Sequence, residues 1–287
     1  MPSQSDIEHL LRRTEFVARP GRVQHLSGLA TIDAVVNDIL AVEADPGSVT
    51  FTEAENWRRG EQLTHFWLDR MAHDSSRPIQ EKMSFFWHGH LCSEFGKVGS
   101  AELMREQIDT FRFGALGNLR SLVTTISTQV AMLRYLDNNQ NRQSSPNQNF
   151  ARELMELFLL GVGNYTEADV EAATAAWTGH TRPHWDVDEY EFHADRHENA
   201  PQQFLGRTIN DARPAIEAGE ETIEDILGLG PLGSGTVPTG AETNRGRPTA
   251  EVAAEFLTYK LWQEFGEAAS QTVPAGVGSA MTAALLD

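Results

Sequence analysis

Residues 136–177 are LDNNQNRQSSPNQNFARELMELFLLGVGNYTEADVEAATAAW, and they predict the fold more strongly than any other part of the chain. Turn residues, helix caps, helical periodicity and clustered carboxylates all occur within them. Ser145, Pro146 and Gln148 form the pattern of a capping box with proline at the first helical position. The spacing therefore predicts a helix that begins after Ser145 and runs to about Leu160.

Glycines and a second capping pattern mark the helix boundaries in the rest of this stretch. Gly161 and Gly163 are expected to end the first helix, because glycine tolerates positive φ. Thr166 and Asp169 then have the spacing of another capping box, which predicts a second helix that ends near Gly179.

The first of these helices has an apolar surface wider than that of an ordinary surface helix when it is drawn at about 100° per residue. It is therefore predicted to be largely buried. Its apolar positions are Phe150, Ala151, Leu154, Met155, Leu157, Phe158 and Leu159. Its polar strip consists of Asn149, Arg152, Glu153 and Glu156. Either this strip faces water, as charged strips commonly do, or it forms the wall of a polar cavity.

Composition limits the classes of protein to which the chain can belong. Its 287 residues are 40% hydrophobic and include six tryptophans and fourteen phenylalanines, which is enough for a packed core. There are 41 acidic and 23 basic residues, and the formal net charge is -18. Because phosphate contacts need a concentrated basic surface, we predict no nucleic-acid partner.

The single cysteine and the N-terminus bear on location. Cys92 has no partner for an intramolecular disulfide and is typical of a reducing compartment. No apolar run approaches the roughly 20 residues of a membrane span, and the segment MPSQSDIEHLLRR lacks the apolar core of a signal peptide. The chain is therefore predicted to be soluble and cytoplasmic, without a membrane span. Export is the alternative if the N-terminus is incomplete.

Residues 81–95, EKMSFFWHGHLCSEF, predict a helix buried on several sides. His88 and His90 are candidate metal ligands, since neutral imidazole commonly binds transition metals. Two residues apart on a helix, they point about 160° from one another, so only one can line a site. We favour His88, because it shares its face with Glu81 and Ser84. The alternative is a packing histidine with one satisfied hydrogen bond.

The composition and periodicity of the sequence change after the central stretch. Partial alternation predicts a small irregular or β-hairpin excursion near residues 185–208. His193 and His197 lie within it four residues apart, a spacing that suits a metal site on a helix but not on a strand. We predict a main helical domain over residues 1–227, a Gly/Pro/Thr-rich loop over 228–248 and C-terminal helices of the same domain over 249–287.

Seven segments, in this order, resemble the bacterial "domain of unknown function 1800" family. They are HLLRRTEF, EKMSFFWHGH, ALGNLRSL, MLRYLDNNQNR, PNQNFARELMELFLLGVGNYTEADV, the following TG, and RHENAPQQFLG. The resemblance covers nearly the whole chain, and its central block is long and specific. It implies an all-α, predominantly helical domain and no established reaction.

The chain departs from the family pattern at three positions. The family usually has glutamate where this chain has Gln148, tryptophan at His180 and aspartate at Glu198. Gln148 is still expected to cap, whereas the other two alter any site near them. Family members also generally continue past the helix at residues 260–262, so a shortened form is one interpretation of this chain.

The first functional hypothesis is an enzyme with a polar site on buried helices. Carboxylates three residues apart share a helix face, and imidazole titrates near neutral pH. The predicted catalytic residues are His88, Arg152, Glu153 and Glu156. The predicted ligand-binding residues are Asp137 and Asn149. In a metal-dependent form, His88, Glu153, Glu156 and His197 bind a divalent ion.

The second hypothesis is a non-catalytic helical scaffold or partner protein. In it, Arg152 and the two glutamates form a buried ion network that fixes helix packing, because buried charges need partners. Accessibility distinguishes the hypotheses: a site needs an open, concave approach to Glu153 and Glu156, whereas a structural network is sealed and saturated.

Overall fold

The computed structural model of the chain describes residues 2–74, 76–182, 189–229, 240–266 and 272–286. Within these ranges the chain is predominantly helical, with two small antiparallel sheets of two strands each. The predicted all-α class with a hairpin excursion is confirmed. None of the described helices has the length and apolar character needed to cross a bilayer.

Nine helices precede the central stretch in the described residues. They are α1 (Gln4–Thr14), α2 (Pro20–Ser27), α3 (Ile32–Ile39), α4 (Asn56–Asp69), α5 (Pro78–His90), α6 (Phe95–Val98), α7 (Ala101–Gly114), α8 (Leu119–Thr128) and α9 (Val130–Tyr135). A π-helical turn over Arg70–Asp74 extends α4.

Two further α-helices lie in the central stretch, and three follow it in the described residues. They are α10 (Asn149–Glu153), α11 (Glu167–Ala176), α12 (Ala218–Leu227), α13 (Thr249–Leu261) and α14 (Ala275–Leu286). π-Helical turns over Leu154–Leu159 and Trp262–Gly266 extend α10 and α13, respectively.

The excursion consists of two short hairpins. Strand β1 (His180–Thr181) pairs with β2 (Glu191–Phe192), and β3 (Gln202–Phe204) pairs with β4 (Arg207–Ile209). Leu205 and Gly206 form the two-residue turn of the second hairpin, with φ values of 47° and 78°. Positive φ at both positions matches the right-handed twist of hairpin strands. Burial of the Leu205 side chain in the core accompanies this unusual conformation.

Helix α5 lies at the centre of the main hydrophobic core, as its composition predicts. Ile79, Met83 and Trp87 are buried there together with residues of α1, α8, α10 and α12. Phe85 is nevertheless 47% exposed, so the helix is not buried on every side. A smaller core cluster joins α4 to α7 and α9.

The start of the first central helix differs from the prediction. Helix α10 begins at Asn149 rather than after Ser145, and Gln148 makes no capping hydrogen bond. The Asn147 amide donates to Asn141 Oδ1 at 3.0 Å, and the Asn149 amide donates to Asn147 Oδ1 at 3.0 Å. These asparagine bonds, with the bond from the Ser145 amide to the Arg142 carbonyl at 2.9 Å, hold residues 145–149 in a turn instead of the predicted capping box.

The other boundaries of the central stretch are confirmed. Gly161 and Gly163 follow the helix with φ of 78° and 81°. Thr166 and Asp169 form the second capping box, in which each side chain accepts from the other residue's amide. Helix α11 ends at Ala176, just before Gly179.

The described C-terminal helices pack against the main body. Thr249 at the start of α13 donates from its hydroxyl to the Asp225 carbonyl in α12 at 2.6 Å. Residues 230–239 of the predicted loop lie outside the described residues, and the three-part division of the chain stays a prediction.

Candidate functional site

A cleft of about 350 Å³ lies where the end of α5, α6, α9 and α10 meet. We refer to it as the Glu153 cleft. Its lining residues are Cys92, Glu94, Lys97, Tyr135, Leu136, Asn149, Glu153, Leu157 and Phe158.

Local breaks in helical structure form the walls of the cleft. The backbone leaves the helical region at Leu91, and the following turn carries Cys92 and Glu94 before α6 begins. Helix α9 ends at Tyr135, and Asp137 then adopts the left-handed conformation with φ of 59°. Aspartate tolerates this region better than most residues do, so the chain can turn sharply here.

Glu153 is the half-buried carboxylate of this cleft. It forms no hydrogen bond or ion pair with any other described residue. Burial and the negative charge of Glu156 raise its pKa, and Arg152 opposes the shift. An unpaired carboxylate with a raised pKa is a stronger base than an ordinary glutamate and can accept a proton from a bound molecule and return it, as a general acid–base group must.

Tyr135 is held in its protonated form beside Cys92. The Cys92 side chain, burial and a hydrogen bond between the two side chains raise the pKa of Tyr135. Glu94 and Glu153 act in the same direction. An ordinary phenol already keeps its proton at neutral pH, and the raised pKa strengthens that hold, so Tyr135 stays a hydrogen-bond donor.

Lys97 links the predicted ligand-binding residues. Its Nζ lies 2.8 Å from Asp137 Oδ2 and 5.7 Å from the centre of the Tyr135 ring. Asn149 donates from Nδ2 to the Leu136 carbonyl at 3.2 Å, while its side chain lines the cleft. Asp137 itself lines a neighbouring polar depression of about 690 Å³. Asn149 therefore lines the cleft, whereas Asp137 lines the neighbouring depression and contacts Lys97, which lines both.

Glu156 and Arg152 have protein partners instead. Glu156 Oε2 accepts from the Tyr165 hydroxyl at 2.7 Å, and Arg152 donates to both oxygens of Glu167 at 2.8 and 2.7 Å. These bonds join α10 and its π-helical turn to the start of α11.

The π-helical turn accounts for the different surroundings of Glu153, which lines the cleft, and Glu156, which contacts Tyr165. It begins at Leu154, between Glu153 and Glu156, and the amides of Leu160 and Gly161 both donate to the Met155 carbonyl, at 2.9 and 3.0 Å. A π turn is wider than an α turn, so residues three apart no longer share one face. The same change leaves Leu157 47% exposed in the cleft, where the α-helical period predicts burial.

His88 lies away from the Glu153 cleft. Its ring lines a separate pocket of about 640 Å³, its Nδ1 is buried without a hydrogen-bond partner, and burial lowers the pKa of the imidazole. His90 points elsewhere, as the two-residue spacing implies. Its Nε2 donates to the Phe158 carbonyl at 2.7 Å, and burial lowers its pKa to about 4.

His197 is enclosed in the hairpin region. Its Nδ1 lies 2.9 Å from the Thr178 carbonyl oxygen, and its Nε2 lies 3.2 Å from Asn210 Oδ1. Among the described residues, no three or more His, Cys, Asp or Glu side chains are arranged to hold a metal ion. The structure therefore does not bring the four predicted metal ligands together.

The three departures from the family pattern lie outside the cleft lining. Gln148 accepts from Arg152 at 3.3 Å instead of capping the helix. His180 Nδ1 lies 3.0 Å from the Tyr190 hydroxyl, and burial, with a smaller effect of His197, lowers its pKa to about 3. The remaining departure, at position 198, supports the turn before β3, where the carboxylate accepts from the Ala200 amide at 2.9 Å.

Four polar residues of the cleft were missed by the sequence reasoning: Cys92, Glu94, Lys97 and Tyr135. Tyr135 lies in the family-like segment MLRYLDNNQNR, two residues before Asp137, and this position could have suggested it. Cys92 is the second residue after the segment EKMSFFWHGH, which ends at His90. Nothing in the sequence marks Glu94 or Lys97.

Comparison with curated proteins and with solved structures finds no match. A family model described as "Protein of unknown function (DUF1800)" matches residues 9–229. This match spans well over half of the 287 residues and includes every residue that lines the cleft. The family resemblance of the seven segments is thereby confirmed, and the chain belongs to the DUF1800 family.

Proposed function

We propose that this chain is an enzyme that acts on a small polar molecule in the Glu153 cleft by general acid–base catalysis. The observation that carries the proposal is the state of Glu153, an unpaired carboxylate with a raised pKa that lines a cleft. A carboxylate of this kind does not stabilise the fold, because burial penalises its charge and no partner among the described residues compensates it.

The neighbours of Glu153 supply the other functions that a reaction needs. The Tyr135 hydroxyl would donate a hydrogen bond to a substrate oxygen that gains negative charge. Lys97 and Asn149 would bind polar substituents, and Leu157 would contact an apolar part of the same molecule. The volume of about 350 Å³ lies at the small end of the range for ligand pockets, so the substrate is expected to be small.

The acid–base form is preferred to the metal form, because the described residues offer no group of three metal-binding side chains. Elemental analysis of protein purified without chelators tests this preference. We expect substoichiometric metal in the wild-type protein. A near-stoichiometric ion that is lost in Glu153→Gln would replace the acid–base form by a metal site at the same cleft.

The proposed base can be tested before the natural substrate is known. The probe is 5-nitrobenzisoxazole, from which a general base removes the C3 proton while the N–O bond breaks and a coloured phenolate forms. We expect saturable turnover whose midpoint in pH lies above the ordinary glutamate pKa of about 4.3. Glu153→Gln should lower the rate at least about tenfold.

Two variants serve as controls for this measurement. Glu171→Gln removes the same charge from an exposed position on α11 and should leave the rate unchanged. Glu156→Gln should shift the pH midpoint downward, because Glu156 raises the pKa of Glu153. Equal rates in wild type and Glu153→Gln would contradict the proposal.

The scaffold remains the second candidate, because Arg152 and Glu156 have partners within the protein, although Arg152 pairs with Glu167 rather than with the two glutamates as that hypothesis predicts. On that interpretation, Glu153 only adjoins a structural network. No turnover of the probe in any variant, together with a large loss of stability in Glu153→Gln, would favour the scaffold.

A further inference from the structure

A second pocket, lined by α4, α5, the start of α6 and α7, has a mainly apolar wall and a volume of about 640 Å³. We refer to it as the tryptophan pocket. Apolar side chains that line it include Trp57, Leu63, Trp67, Leu68, Phe85 and Phe95. Three of these remain substantially exposed: Trp57 at 51%, Leu68 at 55% and Phe85 at 47%. Volume and lining are those of a site for a small molecule.

The charged groups of the tryptophan pocket have one sign. Glu61 and Glu94 line it, and neither side-chain carboxylate forms a hydrogen bond or ion pair with another described residue. No lysine or arginine lines the pocket within the described ranges. His88 also lines it, and the lowered pKa of this buried imidazole keeps the ring neutral at pH 7. Two uncompensated carboxylates beside aromatic rings favour a positively charged ligand.

The rim of the pocket already has a cation on an aromatic ring. The Arg58 guanidinium lies 4.8 Å from the centre of the Trp57 ring and 3.8 Å from Glu55. The inner ring, Trp67, donates its Nε1 proton to Glu81 in the core at 3.0 Å, which fixes its orientation. A rigid aromatic surface with acidic side chains next to it is the arrangement by which proteins recognise organic ammonium groups.

We propose that the tryptophan pocket binds an organic cation with an apolar, aromatic-sized body and one protonated amine. The amine would pair with Glu61 and Glu94, and the body would contact Trp67, Leu68 and Phe85. This site is separate from the acid–base function of Glu153 and does not depend on it, although Glu94 lines both cavities.

Three probes that share one ring system isolate the role of charge. The full chain is titrated by isothermal calorimetry with 1-naphthylmethylamine, 1-naphthalenemethanol and 1-naphthaleneacetate. We expect the amine to bind with one-to-one stoichiometry and about fivefold more tightly than the alcohol, and the acetate to show no measurable binding. Equal affinity for the three probes, or no binding of the amine, would overturn the proposal.

Variants at exposed positions test the location without disturbing the core. Glu61→Gln should weaken amine binding about threefold and leave alcohol binding unchanged. Thr64→Phe, at an exposed position of α4 that lines the pocket, should block both probes. Glu171→Gln removes one charge from α11 and should change neither affinity. If Glu171→Gln matches the effect of Glu61→Gln, the net charge of the protein explains the binding and the assigned site is wrong.

Discussion

Two glutamates on neighbouring elements of this fold have opposite surroundings. Glu81 is fully buried and accepts hydrogen bonds from Arg112 Nε at 2.9 Å and Trp67 Nε1 at 3.0 Å, with Arg70 Nε at 3.4 Å. Glu153 is half-buried and has no such partner in the described structure. A buried carboxylate that is saturated by its neighbours stabilises one packing arrangement, whereas an unsaturated one at a cleft leaves its bonding capacity to a ligand.

The buried ion network that the scaffold hypothesis predicts at Arg152 is found instead at Glu81 and Arg112. Arg112 is fully buried and donates to the Pro46 carbonyl at 2.8 Å and the Gly47 carbonyl at 2.5 Å, besides its pair with Glu81. Arg152 pairs with Glu167 near the surface, where an ion pair contributes little. The structural network is therefore at Glu81, in the first half of the chain.

The largest expected effect is that of Glu81→Gln. The change removes the nearer counter-charge of the buried Arg112 guanidinium and leaves only Asp109 Oδ1 at 3.4 Å, so we expect the free energy of unfolding to fall by about 3 kcal/mol. Urea denaturation at pH 7 measures it. Glu171→Gln, which removes an exposed charge, should stay within about 0.5 kcal/mol of wild type. A loss below about 1 kcal/mol for Glu81→Gln would mean that the pair is not the structural network.

A smaller effect concerns His90, which connects α5 to the π-helical turn next to Glu153. Its folded-state pKa of about 4 lies below the ordinary histidine value of about 6.5. The unfolded chain therefore takes up the proton first, and the contribution of His90 is complete above pH 6.5 and is lost as the pH falls towards 4.

The expected loss from His90 is about 2–3 kcal/mol over that window. Urea denaturation at pH values from 7.5 to 4.5 should show it, and His90→Gln should flatten the curve in this range. His180, with a pKa of about 3, adds a further loss at lower pH. An identical pH slope in wild type and His90→Gln would show that the proton is not taken up at this ring.

Next in size is the bond between Glu156 and Tyr165. Glu156→Ala and Tyr165→Phe should each lower stability by about 1 kcal/mol, since each removes one partner of a 2.7 Å hydrogen bond. Because both remove the same bond, the double variant should lose less than the sum, with a coupling energy of at least about 0.5 kcal/mol. A double-mutant cycle by urea denaturation measures this coupling, and strictly additive losses would place Glu156 with the unsaturated groups.

Local signals in the sequence account for the parts of the fold that were predicted correctly. The second capping box at Thr166 and Asp169 and the stop at Gly161 depend only on residues a few positions away. The predicted cap at Ser145 fails because Asn141 occupies a buried position and provides a competing acceptor for the Asn147 amide. That position depends on tertiary structure, which a local pattern does not contain.

Only the part of the candidate site that lies on one helix was predicted from the sequence. Glu153 and Asn149 were found because both lie in the polar strip of one helix. Cys92 and Tyr135 come from other helix ends, and only packing brings them to the cleft. The separation of Glu153 from Glu156 was not predictable from an α-helical period, because the π-helical turn that begins between them changes the spacing.

The smallest expected effect has the opposite sign and tests the comparison most directly. Burial raises the pKa of Glu153, so the folded chain holds this proton more tightly than the unfolded chain does. The contribution of this group is therefore complete below the unfolded pKa of about 4.3 and is lost as the pH rises through the folded value. Glu153→Gln should stabilise the protein at pH 7, by at most about 0.5 kcal/mol for a half-exposed group.

Urea denaturation of wild type and Glu153→Gln at pH 7 and at pH 4 measures the change in the free energy of unfolding. It tests whether this change is a gain at pH 7 and whether the gain disappears at pH 4. Loss of about 1 kcal/mol or more at pH 7 would reveal a partner for Glu153 and make it a structural group like Glu81. A gain in stability of Glu153→Gln at pH 7 that vanishes at pH 4 would mean that the ionised Glu153 carboxylate destabilises the folded protein. Since removal of the Glu81 charge is expected to destabilise the same fold, the two substitutions together separate a charge that maintains the structure from one that is available for chemistry.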